Sequence, residues 1–354
     1  MRILITGICG FAGSALALAI REEWKETEIF GFDNFVRPGS ELNRMTLQRR
    51  GIKVRHLDLR CASDLEGFPD TDWVIDAAAN PSVLAGLGEG ISSRQLVEHN
   101  LGGTINILEY CKRHRAGLIL LSTSRVYSIP PLSKLEVEEF DRAYRPVADQ
   151  RFPDGVTSAG VSEDYLTAAP VSLYGSTKLA SESLALEYGA AFDFAVWINR
   201  CGVLAGAGQF GRPDQGIFSY WINAWLRNRP LKYIGFNGRG FQVRDCLHPR
   251  DLVPLLKKQV SNTSSVHRIF NVGGGIGNSI SLAQLSAWCS DRFGSREVAA
   301  DPSPRPFDIP WMALDCARVV DDLNWQLITP MQSILSEIAD HAENHPNWLE
   351  LSAS

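Results

Sequence analysis

Nothing in this 354-residue chain constrains its fold more than Thr6-Gly7-Ile8-Cys9-Gly10-Phe11-Ala12-Gly13-Ser14, which joins an apolar run, Ile3 to Thr6, to an amphipathic one, Phe11 to Glu22. Between a strand and a helix, such glycines allow a tight turn and close backbone approach. The helix amides then face a pyrophosphate. Glycine turns of this kind are common, so the motif needs a second signal. It comes from the next apolar run, which ends in Gly31-Phe32-Asp33-Asn34. That sets an acid roughly 20 residues past the last glycine, where it accepts both ribose hydroxyls and repels a 2'-phosphate. The expected cofactor is therefore NAD, with Arg37 close enough to soften the exclusion of NADP. Candidate cofactor contacts are Gly7, Cys9, Gly10, Phe11 and Gly13, joined by Asp33, Asn34, Asp58, Leu59 and Ala78 at the ends of the following runs. For Asp58 the plainer reading is a cap on the next turn.

The first half continues in the same rhythm. Short β-rich runs at Ile29 to Asp33, Val54 to Leu57, Trp73 to Asp76, Leu118 to Ser122 and Phe194 to Ile198 alternate with amphipathic stretches. This is the pattern of an α/β, doubly wound parallel sheet of Rossmann type. In the stretch Leu96 to Arg113, the residues Leu101, Ile105, Leu108 and Cys111 fall at helical spacing and are expected to face the sheet. After about residue 200 the rhythm gives way to segments rich in Trp, Gly and Arg. The expected organisation is a cofactor-binding domain over 1–200, with return segments near 240–255, and a smaller mixed α/β C-terminal substrate lobe over 201–354. The proline- and glycine-rich connection from Tyr127 to Tyr174 is long for a compact protein and is expected to be an ordered rim of the substrate site.

Bulk properties exclude several classes. A net charge of −5 argues against broad nucleic-acid binding. The seven cysteines, Cys9, Cys61, Cys111, Cys201, Cys246, Cys289 and Cys316, are scattered and never in a Cys-x-x-Cys pair. They suit reduced thiols in a cytoplasm better than a disulfide frame or zinc site. No window approaches the roughly 20 apolar residues of a membrane span. We expect a cytoplasmic protein with no metal.

Tyr174-Gly175-Ser176-Thr177-Lys178 puts a phenol and an ammonium four residues apart on one helix face. A phenol titrates near about 10 in water, so acid/base work near neutrality requires a nearby positive charge. Lys178 and an oxidised nicotinamide are expected to supply it. Alone, the pentapeptide could be an amphipathic helix with a surface lysine; beside the nucleotide motif it reads as chemistry.

Together with Asn100-Leu101-Gly102-Gly103-Thr104 and Ser122-Thr123-Ser124-Arg125-Val126-Tyr127, these elements resemble the motif set of extended short-chain dehydrogenase/reductases. Those are the nucleotide-sugar epimerases and dehydratases. The resemblance implies that Thr123, Tyr174 and Lys178 are catalytic, with Thr123 bonding the reacting sugar oxygen and Asn100 near the nicotinamide ribose. It also implies pairing through a helical bundle into a homo-oligomer, a dimer at the least. Gln242-Val243-Arg244-Asp245-Cys246-Leu247-His248 is similar to the family segment whose arginine holds the nucleotide diphosphate, a task suited to a bidentate guanidinium. Arg305 is the expected second contact, and His248 is read as structural. Asn80, Arg125, Asn199, Gln209 and Gln215 complete the expected substrate set.

Gly208-Gln209-Phe210-Gly211-Arg212-Pro213-Asp214-Gln215-Gly216 is similar to the Arg-Gln-Phe-x-x-x-Asp-Gln-Gly segment of CDP-tyvelose (CDP-paratose) 2-epimerases. This implies a CDP- or UDP-linked sugar as substrate and inversion at C2 through a transient ketone. Departures are Gly208 for Arg, Cys201 for His, and Asp76-Ala77-Ala78-Ala79-Asn80 where polar residues stand in the relatives. Lost polar groups alter which hydroxyls are read. Three alternatives remain. A UDP-hexose 4-epimerase shares the chemistry at a neighbouring carbon. A 4,6-dehydratase would need Asp-Glu where Ser124-Arg125 stands. A non-catalytic NAD-binding module would usually lack the Tyr or Lys.

Overall fold

The computed structural model describes residues 1–88, 92–262 and 265–353. The six apolar runs become strands β1 (Arg2–Thr6), β2 (Glu28–Asp33), β3 (Lys53–His56), β4 (Trp73–Asp76), β5 (Gly117–Thr123) and β6 (Val196–Cys201). A seventh strand, β7 (Ile269–Val272), joins them without a clear mark in the sequence. Its four residues lie beyond the change of rhythm, where a short run has no alternating neighbours to single it out. All seven pair in parallel, in the order β7-β6-β5-β4-β1-β2-β3. The doubly wound sheet is thus as expected. Strand order reverses between β1 and β4, so a ligand crevice opens outside their carboxyl ends.

Two apolar layers cover the sheet. On one face, helix α1 (Phe11–Glu23) buries Leu16 and Ile20 among Ile3, Ile5, Ile29 and Ile75. Full burial of side chains this size stabilises by about 1.5–3 kcal/mol each. On the other face lie helices α2 (Gly103–His114) and α3 (Ser172–Phe192). The inward stripe of α2 is Thr104, Ile107, Leu108 and Cys111. Ile105, expected to face the sheet, is exposed. It lies about a third of a turn from the centre of that stripe.

The second half builds a small mixed sheet from 203–204, 243–247, 279–281 and 311–312. Against it pack helix α4 (Ile217–Leu226), with Trp221 and Trp225 in the core, and helix α6 (Met331–Asn344). Between them the chain crosses back to the first lobe. Helix α5 (Leu252–Ser261) buries Leu252, Val253, Leu255 and Leu256 against the α1 side, and β7 follows. The connection from Tyr127 to Tyr174 is ordered into a short helix and two hairpins, Val137–Phe140 with Ala143–Pro146 and Val156–Thr157 with Gly160–Val161. Among the described residues, no helix is long and apolar enough to cross a membrane.

Candidate functional site

The glycine loop leaves β1 through Gly7, whose φ of 57° is left-handed. At Gly13 a Cβ would lie 2.3 Å from the Gly7 carbonyl oxygen. The first turn of α1 therefore sits directly on the loop, and only hydrogen fits between them. The β4 end packs on the other side, where a Cβ on Gly7 would meet Ala78 Cα at 2.9 Å. Thr6 fixes this junction. Its hydroxyl donates to Asp76 at 2.6 Å and accepts the N–H groups of Ala77 and Ala78 at 3.1 and 3.0 Å.

Asp33 ends β2 and faces the same loop, accepting from Cys9 N at 3.0 Å and Phe35 N at 2.8 Å. Burial pushes its carboxyl up in pKa, and the backbone N–H groups of Phe35, Cys9 and Gly10 pull the other way. Asp58 turns onto Arg60, which holds its pKa far below the usual carboxylate range, and also accepts from Asn34 at 3.3 Å. It accepts from the Arg60 backbone N–H as well, at 3.0 Å, which is the turn-capping geometry. Leu59 packs at Gly103, and its carbonyl accepts from Asn106 at 2.6 Å.

Asn100 stands on a π-helical turn, Glu98–Gly102, a wide turn often found at functional sites. Its amide is spent inside the protein. Oδ1 accepts from Asn80 N at 2.8 Å, and Nδ2 donates to Asn80 O and Thr177 Oγ1, both at 3.1 Å. The expected cofactor and substrate contacts Asn100 and Asn80 are thus brought together, one fixing the backbone of the other.

The inward face of α3 is polar: Tyr174, Thr177, Lys178, Ser181 and Glu182 are all buried. Such a face survives only if its groups find partners. Glu182 accepts three bonds from Arg200, at 2.7 to 3.2 Å, and one from Ser122. Toward the crevice, the Thr123 hydroxyl faces the Tyr174 phenol and lowers its pKa. Burial pushes the Tyr174 phenol up to about 12, the Thr123 hydroxyl and the Arg125 charge lower it, and Cys201 raises it. The sequence assigns the positive charge beside the phenol to Lys178. In the fold its ammonium is lowered in pKa by burial and raised by Asp76, Glu182 and Cys201, and the Arg125 charge also lowers the phenol. Among the described residues Lys178 makes no ion pair within 4 Å.

Arg125 also belongs to a cluster. Burial and the nearby charge of Arg244 push its pKa down to about 10, with Asp308 opposing and Arg305 adding to the fall. Arg244 bonds Asp308 at 2.6 Å, a salt bridge mostly hidden from solvent. Three guanidinium groups face two carboxylates, Asp308 and the buried Asp245, which leaves an excess of positive charge, a setting that favours an anion. The wall also includes Asp245, Ser124, Tyr127, Val203, Ile309 and Met312.

Two expected substrate contacts are otherwise engaged. Asn199 is fully enclosed and exchanges two amide bonds with Gln259 on α5, at 3.0 and 2.8 Å. Alternation along β6 sends it to the face opposite Arg200, away from Tyr174. Gln215 Oε1 accepts from Arg37 at 3.1 Å. Gln209 donates to Leu204 O at 2.6 Å, while its Oε1 is buried with no partner among the described residues. His248 caps a turn by accepting from Arg250 N at 3.1 Å and lies 3.2 Å from Glu337. Sequence reasoning missed Asp308 as the partner of Arg244, although it stands three residues after Arg305. The effect of the Arg125 charge on Tyr174 carries no sequence signal at all.

A dinucleotide cradle at the switch point of a parallel sheet, with a Tyr/Lys helix across the crevice, defines a Rossmann enzyme of the short-chain dehydrogenase/reductase type. The chain belongs to the NAD dependent epimerase/dehydratase family, which matches residues 3–273. It is 27% identical over 332 residues to CDP-paratose 2-epimerase of Salmonella typhi, covering 92% of this chain and 94% of that one. It is 28% identical over 292 residues to UDP-glucuronate 4-epimerase 1 of Arabidopsis thaliana, covering 77% of this chain and 60% of the relative. Among solved structures, UDP-glucuronic acid 4-epimerase from Bacillus cereus in complex with NAD superposes with a TM-score of 0.75 at 25% identity, over 97% of this chain and 99% of that one. The protein is an NAD-dependent nucleotide-sugar epimerase. Its residues fit the cofactor: the Gly7–Gly13 cradle has no room for a Cβ, Asp33 offers acceptor oxygens beside it, and Lys178 presents a buried ammonium.

Proposed function

We propose that the enzyme inverts C2 of a CDP-linked deoxysugar, as its resemblance to CDP-tyvelose (CDP-paratose) 2-epimerases suggests. The observation that carries this reading is the Gly208–Gly216 segment. It folds as a hairpin, pairing Arg212 with Gln215, and is fastened through Asp214 to Ser82 in the loop that follows β4. Tyr174 receives the proton of the sugar hydroxyl, and Thr123, whose hydroxyl faces the phenol, orients that oxygen. Arg125 offsets part of the burial that holds Tyr174 as a phenol. Lys178 would hold the cofactor ribose. Bound NAD would supply a reversible two-electron acceptor for the hydrogen of the sugar carbon. Inversion requires the transient ketone to present its other face before it is reduced. Ala77, Ala78, Ala79 and Cys201 leave few polar anchors to prevent the turn. Arg125, Arg244 and Arg305 hold the diphosphate.

A UDP-hexose or UDP-hexuronate 4-epimerase is the second reading, favoured by Arg125 itself, a buried cation beside Tyr174 where a sugar substituent would lie. Incubating the enzyme with a panel of CDP- and UDP-sugars and scoring inversion at C2 against C4 by NMR decides. Exclusive inversion at C4 would overturn the first reading. We read the protein as cytoplasmic, a location that its seven free cysteines suit. We also read it as a homo-oligomer, for which the exposed Val97, Ile105 and Leu173 offer apolar surface on adjacent helices.

A further inference from the structure

The hairpin Gly208–Gly216 is tied to both sides of the cofactor crevice. It begins over α1, where a Cβ on Gly206 would lie 3.4 Å from the Phe11 ring. Phe210 then lies against Gly39 and stacks on Trp348 at 5.3 Å. Arg37 clamps this arm, donating to Phe210 O at 3.0 Å and Gln215 Oε1 at 3.1 Å. Arg212 and Gln215 close the tip by two backbone bonds of 2.7 and 3.2 Å. At that tip Asp214 accepts the Ser82 hydroxyl at 2.7 Å.

The two anchoring loops have a fixed relation to the glycine loop. The loop of Arg37 leaves β2 just after Asp33, and the loop of Ser82 leaves β4 just after Asp76. In the sheet β1 lies between β2 and β4, so its glycine loop emerges between those two anchors. A hairpin fastened to both therefore bridges the crevice above Gly7–Gly13. We propose that this hairpin is a latch over bound NAD, with Arg37–Gln215 and Ser82–Asp214 as its two fasteners, and that opening them limits cofactor release. Arg37 is thereby accounted for. It is a fastener, not a receptor for a 2'-phosphate, and although burial lowers its pKa to about 10 it stays charged at neutrality. Epimerisation leaves no net redox change, so a cofactor that dissociates between half-reactions strands the ketone. A latch answers that need.

The inference rests on NAD being the bound cofactor, and its test uses no sugar, so the outcome is independent of which carbon is inverted. The full chain, loaded with NAD, is mixed with excess isotopically labelled NAD, and exchange is followed by rapid filtration and mass spectrometry. Asp214→Ala and Arg37→Leu are each expected to release NAD about tenfold faster than the parent, and the double variant faster still. A double variant with native circular dichroism that exchanges within twofold of the parent would overturn the latch. The converse variant pairs Ser82→Cys with Asp214→Cys to lock the second fastener. Oxidation should slow exchange at least tenfold and a thiol reductant restore it; equal rates in both redox forms would also overturn it.

Discussion

Replacing Gly13 by alanine tests the cofactor cradle directly. The added Cβ would lie 2.3 Å from Gly7 O and 2.8 Å from Ile8 Cα, all backbone, so no side chain can swing away. Restoring ordinary contact requires the first turn of α1 and the loop to part by about 1 Å, and overpacking of this kind costs about 1–3 kcal/mol of stability. The loop is further tied by Gly10 N to Gly7 O at 2.9 Å, so the shift propagates to the amides that face a pyrophosphate. Losing two charge-assisted bonds there, at about 1.5–3 kcal/mol each, is worth at least 3 kcal/mol. NAD should then bind more than a hundredfold more weakly. Gly67→Ala is the control, because nothing lies within 4 Å of its added Cβ. The assay is calorimetric titration of cofactor-stripped protein with NAD, beside thermal melts of all three proteins. A folded Gly13→Ala protein binding NAD as the parent does would refute the steric reasoning.

Further outcomes follow from the same geometry. Tyr174→Phe should lose epimerisation by about 10²- to 10⁴-fold while keeping its NAD, read from turnover and from cofactor content; parental turnover would remove Tyr174 from the mechanism. Glu182→Leu leaves the buried Arg200 guanidinium with the Tyr127 hydroxyl at 3.3 Å and should cost about 3–5 kcal/mol by urea titration. Adding Arg200→Met should recover part of that loss. Burial, then the neighbouring His345, lowers the His341 pKa to about 4 from the ordinary 6.5. A depressed base favours the folded state above pH 6.5, and that advantage is lost as pH falls toward 4. Discounted for partial exposure it amounts to about 1–2 kcal/mol, so His341→Gln should flatten the fall in melting temperature across that range.

Features set by local chemistry are legible in the sequence. The glycine loop, Asp33 and the β1–β6 runs follow from short-range rules of turn, period and spacing, and the fold reproduces each within a few residues. Tyr174 and Lys178 are legible as a pair because i and i+4 share a helix face. What Lys178 faces is legible only in part: Glu182 shares its helix face at i+4, whereas Asp76 reaches it through tertiary packing. The same limit hides the Asn199–Gln259 pair, because the two residues meet only once α5 has returned to the first lobe. Ser82 and Asp214 are ordinary polar loop residues, and nothing local marks them as partners across the crevice.

The late arrival of β7 shapes how the polypeptide must be made. Until Ile269 leaves the ribosome, the outer edge of β6 has no strand to pair with, and Trp197 lacks the Phe270 ring that packs 6.0 Å from it. A truncated chain ending near residue 200 would present that bare edge together with an uncovered apolar layer, a template for self-association. Nascent chains of this protein therefore pass through an aggregation-prone interval, which closes when the sheet gains its seventh strand. Synonymous changes that slow translation between β6 and β7 should lengthen that interval and lower soluble yield without altering a single residue.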